Sequence, residues 1–96
     1  MKQLPKTPEL IRVAERVVWF KSPESALDDP IHFLAHVMTY GTVEDLAALS
    51  GTVGPEELKE VLDHAPAGVF DQRSWAYWNL ICGRRPPPPL PTRKFA

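Results

Sequence analysis

Residues 7–41 read TPELIRVAERVVWFKSPESALDDPIHFLAHVMTYG and contain three helix starts in succession. In each start, a residue whose side chain can cap a helix precedes a proline, as in Thr7-Pro8, Ser22-Pro23 and Asp29-Pro30. The capping oxygen accepts a hydrogen bond from a free backbone N–H of the first turn, and proline at the first helical position has no N–H to leave unpaired. Three helices are therefore predicted, over residues 8–20, 23–28 and 30–40, and Gly41 is predicted to end the third in the left-handed conformation.

Three more helix starts follow this stretch, at Thr42, Gly54-Pro55 and Asp71. Asp45 stands three positions after Thr42, which predicts a reciprocal capping box. Apolar residues recur at helical spacing after each start, and no segment has the two-residue period of a strand. The predicted stops are Gly51, Ala65-Pro66 and Gly83. The sequence thus predicts an all-α fold, a compact bundle of about five short helices to which residues 23–28 add only a turn or two.

The chain has 96 residues, which is enough for one domain. We assign residues 1–85 to a single helical domain and residues 86–96 to an extended, proline-rich basic tail, because consecutive prolines favour the polyproline II conformation. Cys82 is the single cysteine, so no intrachain disulfide is expected, and no apolar run is long enough to span a bilayer. These features predict a cytoplasmic protein.

Charge is unevenly distributed along the chain, although the net charge is only −1. Residues 1–21 hold five bases and two acids, and residues 72–96 hold five bases and no acid. Residues 22–71 hold ten acids and one base, for a net charge of −9. An acidic middle repels nucleic acid and attracts basic protein surfaces.

The two helices predicted within residues 42–62 are spaced like a DNA-binding helix-turn-helix. The second helix, however, carries one base, Lys59, against four acids: Glu56, Glu57, Glu60 and Asp63. A surface that binds phosphates needs Lys or Arg to displace counterions. We therefore interpret these helices as scaffold and the four acids as residues that bind a protein partner.

The last predicted helix is apolar on nearly every side. Trp75 and Trp78 share one face and Tyr77 lies on another, so the helix has two apolar faces. Either the other helices surround it at the centre of the bundle, or one face anchors a partner, since Trp, Tyr and Arg dominate binding hot spots. We predict Trp75, Tyr77 and Trp78 as partner-binding residues, with Arg93 in the stiff basic tail as a fourth.

Catalytic and metal-binding motifs have little support in this sequence. His32 and His36 are four positions apart and can face the same side of a helix as metal ligands, but Phe33 stands where a zinc-protease helix carries glutamate. Two histidines alone do not make a ligand set, and no metal or other cofactor is predicted. Cys82 lies in an apolar helix, which is typical of a buried structural thiol. The sequence therefore predicts a protein that is not an enzyme.

Four segments carry a resemblance to a known family: VWFKSPESAL at 18–27, VMTYGTVED at 37–45, HAP at 64–66 and RSWAYW at 73–78. In these segments, and in a proline-rich basic end, the chain is similar to small bacterial helical proteins encoded beside AbiEii-type nucleotidyltransferase toxins. The resemblance spans residues 14–95 and is most specific at RSWAYW. It implies an antitoxin or accessory partner of such a toxin, and it implies no catalytic residue.

Two other functions remain open from the sequence. In one, the chain is a DNA-binding regulator whose basic ends contact phosphates through Arg12, Arg16, Arg84, Arg85, Arg93 and Lys94. In the other, it is a structural subunit that self-associates through the last helix, for example as a homodimer.

Overall fold

The computed structural model of the protein describes residues 3–91, and every regular element in this range is a helix. Six helices are present, five of them seven residues or longer, so the predicted all-α compact fold is confirmed. They are α1 (Pro8–Val17), α2 (Pro23–Asp28), α3 (Pro30–Tyr40), α4 (Val43–Leu49), α5 (Pro55–Asp63) and α6 (Gln72–Ile81). None of the helices in the described range is long and apolar enough to cross a membrane.

The predicted caps form at the predicted positions. Thr7 Oγ1 accepts a hydrogen bond from Leu10 N at 3.3 Å, and Asp71 Oδ1 accepts one from Ser74 N at 2.7 Å. Thr42 and Asp45 form the expected reciprocal box at the start of α4. The helix boundaries are thus set locally, by the polar residues between the apolar runs.

Two predicted helix ends are wrong. The first helix stops at Val17 instead of residue 20, because α1 and α2 pack against each other and the chain has to turn between them. Gly41 has φ −74°, not the predicted left-handed value. Glycine fits there for a different reason, since a Cβ at this position would lie 2.5 Å from the carbonyl oxygen of Val37. Gly83 does adopt the left-handed conformation, with φ +78°.

Helix α3 forms the centre of the molecule. It packs against each of the other five helices. Seven of its residues are buried: Pro30, Phe33, Leu34, Ala35, His36, Val37 and Met38. A helix that is apolar around most of its circumference is stable in water only when other elements surround it.

Helix α6 lies at the periphery, so its predicted alternative as the central helix is wrong. Trp75 and Trp78 face the core, whereas Tyr77, Leu80 and Ile81 are exposed. The indole N–H of Trp78 donates to the carbonyl oxygen of Met38 at 2.7 Å. Met38 lies in the last turn of α3, where carbonyl groups lack partners within the helix. Trp78 therefore both fills the core and completes the hydrogen bonding of α3.

The described part of the tail, residues 86–91, forms no helix or strand and returns to the domain. The indole N–H of Trp75 donates to the carbonyl oxygen of Pro88 at 2.7 Å, and Leu90 packs against the core. The proline-rich segment is thus held at two points along its length.

Replacing Trp78 with Phe is expected to cost about 1–3 kcal/mol of unfolding free energy, because the Met38 carbonyl group stays buried without its donor. Urea denaturation measures this loss. Trp19→Phe is the matched control, since Trp19 is exposed and its loss should stay within about 0.5 kcal/mol. Equal denaturation midpoints for the two variants would contradict the structural role of the Trp78 hydrogen bond.

Candidate functional site

The four predicted acidic partner-binding residues lie along α5 in different environments. Glu56 and Asp63 are exposed, whereas Glu57 and Glu60 are half-buried. Glu57 Oε2 accepts a hydrogen bond from the backbone N–H of Gly54 at 2.9 Å, so its carboxylate stabilises the start of the helix. Each acid therefore has its own surroundings, and only Glu56 and Asp63 are largely open to solvent.

One edge of α5 faces the N-terminal segment. Glu56, Glu57 and Glu60 line an open cavity of about 440 Å³. Thr52 and residues 3–5 complete its lining. Three glutamates therefore line this one cavity, and Glu56 among them is exposed.

The other edge of α5 meets the end of α6 at an apolar groove. The groove has a volume of about 360 Å³ and is lined by Pro55, Leu58, Lys59, Ile81, Cys82 and Gly83. Arg84 joins its two sides, because one guanidinium nitrogen lies 2.7 Å from Asp63 Oδ1 and 3.5 Å from the carbonyl oxygen of Lys59. We call this feature the α5–α6 groove.

The structure separates the predicted partner-binding residues of α6. Tyr77 is exposed beside Leu80 and Ile81, and its ring contacts Trp78 edge-on at 5.2 Å between ring centroids. Trp75 and Trp78 themselves are buried in the core. Arg93, the fourth residue predicted with this group, lies outside the described residues. The accessible apolar face of α6 therefore consists of Tyr77, Leu80 and Ile81.

The rings of the two histidines of α3 lie close together. The ring centroids of His32 and His36 are 4.3 Å apart, and Nδ1 of His36 lies 2.9 Å from the carbonyl oxygen of His32. Burial, the neighbouring His36 and the positive charge of Lys21 lower the pKa of His32, against the opposing effect of Asp29. Across residues 3–91, no group of three or more His, Cys, Asp or Glu side chains is arranged to hold a metal ion.

An open pocket of about 580 Å³ lies beside these histidines, and we call it the aromatic bowl. Its lining consists of Arg16, Val17, Trp19, Phe20, His36 and Tyr40. Val17 and His36 are buried, whereas Trp19, Phe20 and Tyr40 are 78%, 52% and 62% exposed. Such large aromatic exposure is uncommon in a small monomer and is typical of a contact surface.

The rim of the aromatic bowl is fixed by a buried carboxylate. Asp45 is almost fully buried, and its Oδ1 accepts a hydrogen bond from Nη2 of Arg16, whose side chain is 57% exposed. Its Oδ2 accepts a second bond from the backbone N–H of Thr42 at 2.9 Å. Burial alone would raise the pKa of Asp45, but the Thr42 and Arg16 interactions outweigh it and lower the pKa.

The sequence predicted no site at Trp19, Phe20 or Tyr40. A signal was present, since His32, His36 and Tyr40 recur every four residues and therefore share one face of α3. Because the first helix was predicted to continue to residue 20, Trp19 and Phe20 were placed in the helix and not in the turn that follows it. Their departure from the helix brings Phe20 to 5.6 Å from His36, measured between ring centroids.

Two basic residues of the DNA-binding alternative are held in ion pairs, whereas Arg12 and Arg85 are exposed. Arg16 is paired with Asp45, and Arg84 is paired with Asp63. Arg93 and Lys94 lie beyond the described range. The phosphate-binding interpretation therefore gains no support from the arrangement of Arg16 and Arg84.

Comparison of the chain with protein-family models, with curated protein sequences and with solved structures finds no match. Function is therefore inferred from the geometry of the α5–α6 groove and the aromatic bowl.

Replacing Arg16 with Met is expected to cost about 1–2 kcal/mol of unfolding free energy, because Asp45 stays buried with one partner fewer. The figure is modest because solvent screens the half-exposed guanidinium. Thermal and urea denaturation measure it. Arg12→Met removes an exposed arginine from the same helix and should change the unfolding free energy by less than about 0.5 kcal/mol.

Acid should weaken the fold partly through Asp45. Its folded-state pKa lies below the unfolded value of 3.8, so its stabilisation is complete above that value and is lost as the pH falls through the lowered pKa. Carboxylates titrate between about pH 5 and pH 3. Over this interval, the melting temperature of the wild type should fall more than that of Asp45→Asn. Glu24→Gln, at an exposed position, should retain the wild-type acid sensitivity. Identical pH profiles for Asp45→Asn and the wild type would contradict this assignment.

Proposed function

We propose that the protein is a non-catalytic protein-binding module that contacts a basic partner through α5 and the exposed face of α6. The observation that supports this most directly is the α5–α6 groove, where Leu58 and Ile81 line an apolar depression bordered by the Asp63–Arg84 ion pair. An apolar centre with a charged border is the usual composition of a protein interface.

The apolar part of this surface is larger than the groove alone. Ile81 lines the groove and also belongs to the exposed face of α6, together with Tyr77 and Leu80. One continuous apolar strip therefore extends from α5 along α6. Tyrosine on such a strip supplies a large rigid contact area with a polar end, which favours slow dissociation.

The charged part of the surface determines the kind of partner. Helix α5 carries four acids and one base, and Glu56 is exposed beside the acidic cavity. A basic partner surface is attracted to this edge, whereas nucleic acid is repelled by it. We therefore propose a cytoplasmic protein partner with a basic contact surface.

The resemblance to proteins encoded beside AbiEii-type toxins supplies the class of partner. A nucleotidyltransferase acts on anionic nucleotides, and a basic cleft suits that substrate. In this proposal the protein is an antitoxin or accessory partner that covers such a cleft with its acidic helix. Occlusion of this kind requires no catalytic group in the covering protein.

The test uses the full chain and an AbiEii-type nucleotidyltransferase of the same genome, with association and dissociation rates measured at two salt concentrations. Ile81→Asp should weaken binding about 30-fold or more, mainly through faster dissociation, because it places a charge in the apolar contact. Glu56→Lys should slow association and reduce the dependence on salt. Both positions are exposed, so the variants should retain the wild-type helical circular dichroism.

Glu24→Lys is the control for charge, since it reverses an exposed acid on α2, which does not line the α5–α6 groove. It should leave both rates close to the wild-type values. Unchanged binding by folded Ile81→Asp and Glu56→Lys would refute this contact surface, and failure of the wild type to bind the nucleotidyltransferase would refute the partner class.

A further inference from the structure

One residue that lines the aromatic bowl, Trp19, also projects from it into solvent. Trp19 is 78% exposed and stands at the rim, and its ring contacts Phe20 edge-on at 5.7 Å between centroids. The pocket volume of about 580 Å³ is open to solvent next to it. One surface therefore presents both a projecting ring and a recess lined by rings.

The base of the recess is held in place from below. Phe20 lies 6.1 Å from His32 and 5.6 Å from His36, measured between ring centroids, and His36 is 6.0 Å from Tyr40. Val18, next to Trp19, is fully buried and anchors the turn that carries the two exposed rings. Because Val18 and His36 are buried, the base of the recess loses little side-chain entropy when another ring enters it.

The charges around the bowl also limit what can cover it. Arg16 is neutralised by Asp45, and Lys21 and Asp29 act on nearby His32 with opposite signs. A surface with mixed, largely compensated charge does not repel an identical surface, whereas the acidic edge of α5 would repel its own copy. The bowl is thus suited to self-association in a way that the α5–α6 groove is not.

We propose that the aromatic bowl is a homodimer interface in which Trp19 of each copy enters the bowl of the other. A two-fold axis brings the same patch of both chains together, so a ring and a recess on one surface are used twice. In the assembled site, Trp19 packs between Phe20 and Tyr40 of the second copy, with Arg16 at the border. The proposal is independent of the nucleotidyltransferase partner and leaves the α5–α6 groove of each copy accessible.

The expected dimer is weak and concentration-dependent. A fully buried aromatic side chain covers roughly 150–250 Å². The three rings on each copy are only 52–78% exposed and each contributes less than that, so the interface falls in the class of small, transient contacts. We expect a dissociation constant on the order of 10 μM to 100 μM, because small interfaces of this class are commonly transient. The protein should therefore change from monomer to dimer across an accessible concentration range.

Sedimentation equilibrium of the full chain tests the proposal. Protein concentrations between about 5 μM and 500 μM bracket the expected dissociation constant of the dimer. The wild type should show a monomer–dimer equilibrium, and Trp19→Ala should raise the dissociation constant about 30-fold or more. Tyr77→Ala, which removes the exposed ring of α6, is the matched control and should dimerise like the wild type. Circular dichroism should show that both variants fold, because both rings are exposed.

Tryptophan fluorescence supplies a second readout. Trp75 and Trp78 are already buried, so a blue shift of the emission with rising protein concentration reports the transfer of Trp19 out of water. This shift should be absent from Trp19→Ala. A wild type that stays monomeric throughout the range, or a Trp19→Ala variant that dimerises normally, would overturn the proposal. Loss of the dimer in Tyr77→Ala alone would place the interface on α6 instead.

Neither outcome decides the nucleotidyltransferase contact. Trp19→Ala should bind that partner at the wild-type level per chain, whereas Ile81→Asp should still dimerise. The two variants therefore separate the homodimer interface from the proposed partner surface.

Discussion

The burial of α3 is the constraint on which the remaining structure depends. This helix is apolar around most of its circumference, and water contact along any side would expose Phe33, Leu34 or Val37. Five short helices satisfy the constraint by packing around it, each contributing one apolar face. A chain of 96 residues has material for one core of this size, so the surrounding helices have few residues to spare.

A surrounded helix also needs partners for the polar groups at its ends. Asp29 accepts a hydrogen bond from His32 N at the first turn, and Trp78 donates to the Met38 carbonyl group at the last. The second interaction fixes the rotation of α6, because the face that carries Trp78 has to point inward. Tyr77, Leu80 and Ile81 are consequently directed toward solvent. The apolar face of α6 is thus exposed because Trp78, on the opposite face, has to reach the Met38 carbonyl group of α3.

Local features of the fold could be predicted from the sequence, and long-range features could not. Caps such as Thr42 with Asp45 depend on residues three positions apart, so the helix starts were readable. Helices α3 and α6 are both rich in apolar residues, so composition alone does not show which of them is central. That position depends on contacts between residues far apart in the sequence. The aromatic bowl depends on where α1 ends, and that end is set by packing between α1 and α2 and not by a capping residue. The ion pairs of Arg16 and Arg84 likewise join residues far apart in the sequence.

The carboxylate of Asp45 takes part both in the cap of α4 and in the contact between α4 and α1. One oxygen closes the first turn of its own helix and the other holds Arg16 of α1. A helix of seven residues is not stable by itself, because its few hydrogen bonds do not offset the free energy needed to nucleate a helix. Since Asp45 also holds Arg16, opening of α4 breaks a contact that α1 makes. We therefore expect amide hydrogen exchange in α4 to follow the opening of α1, although α4 itself has only seven residues.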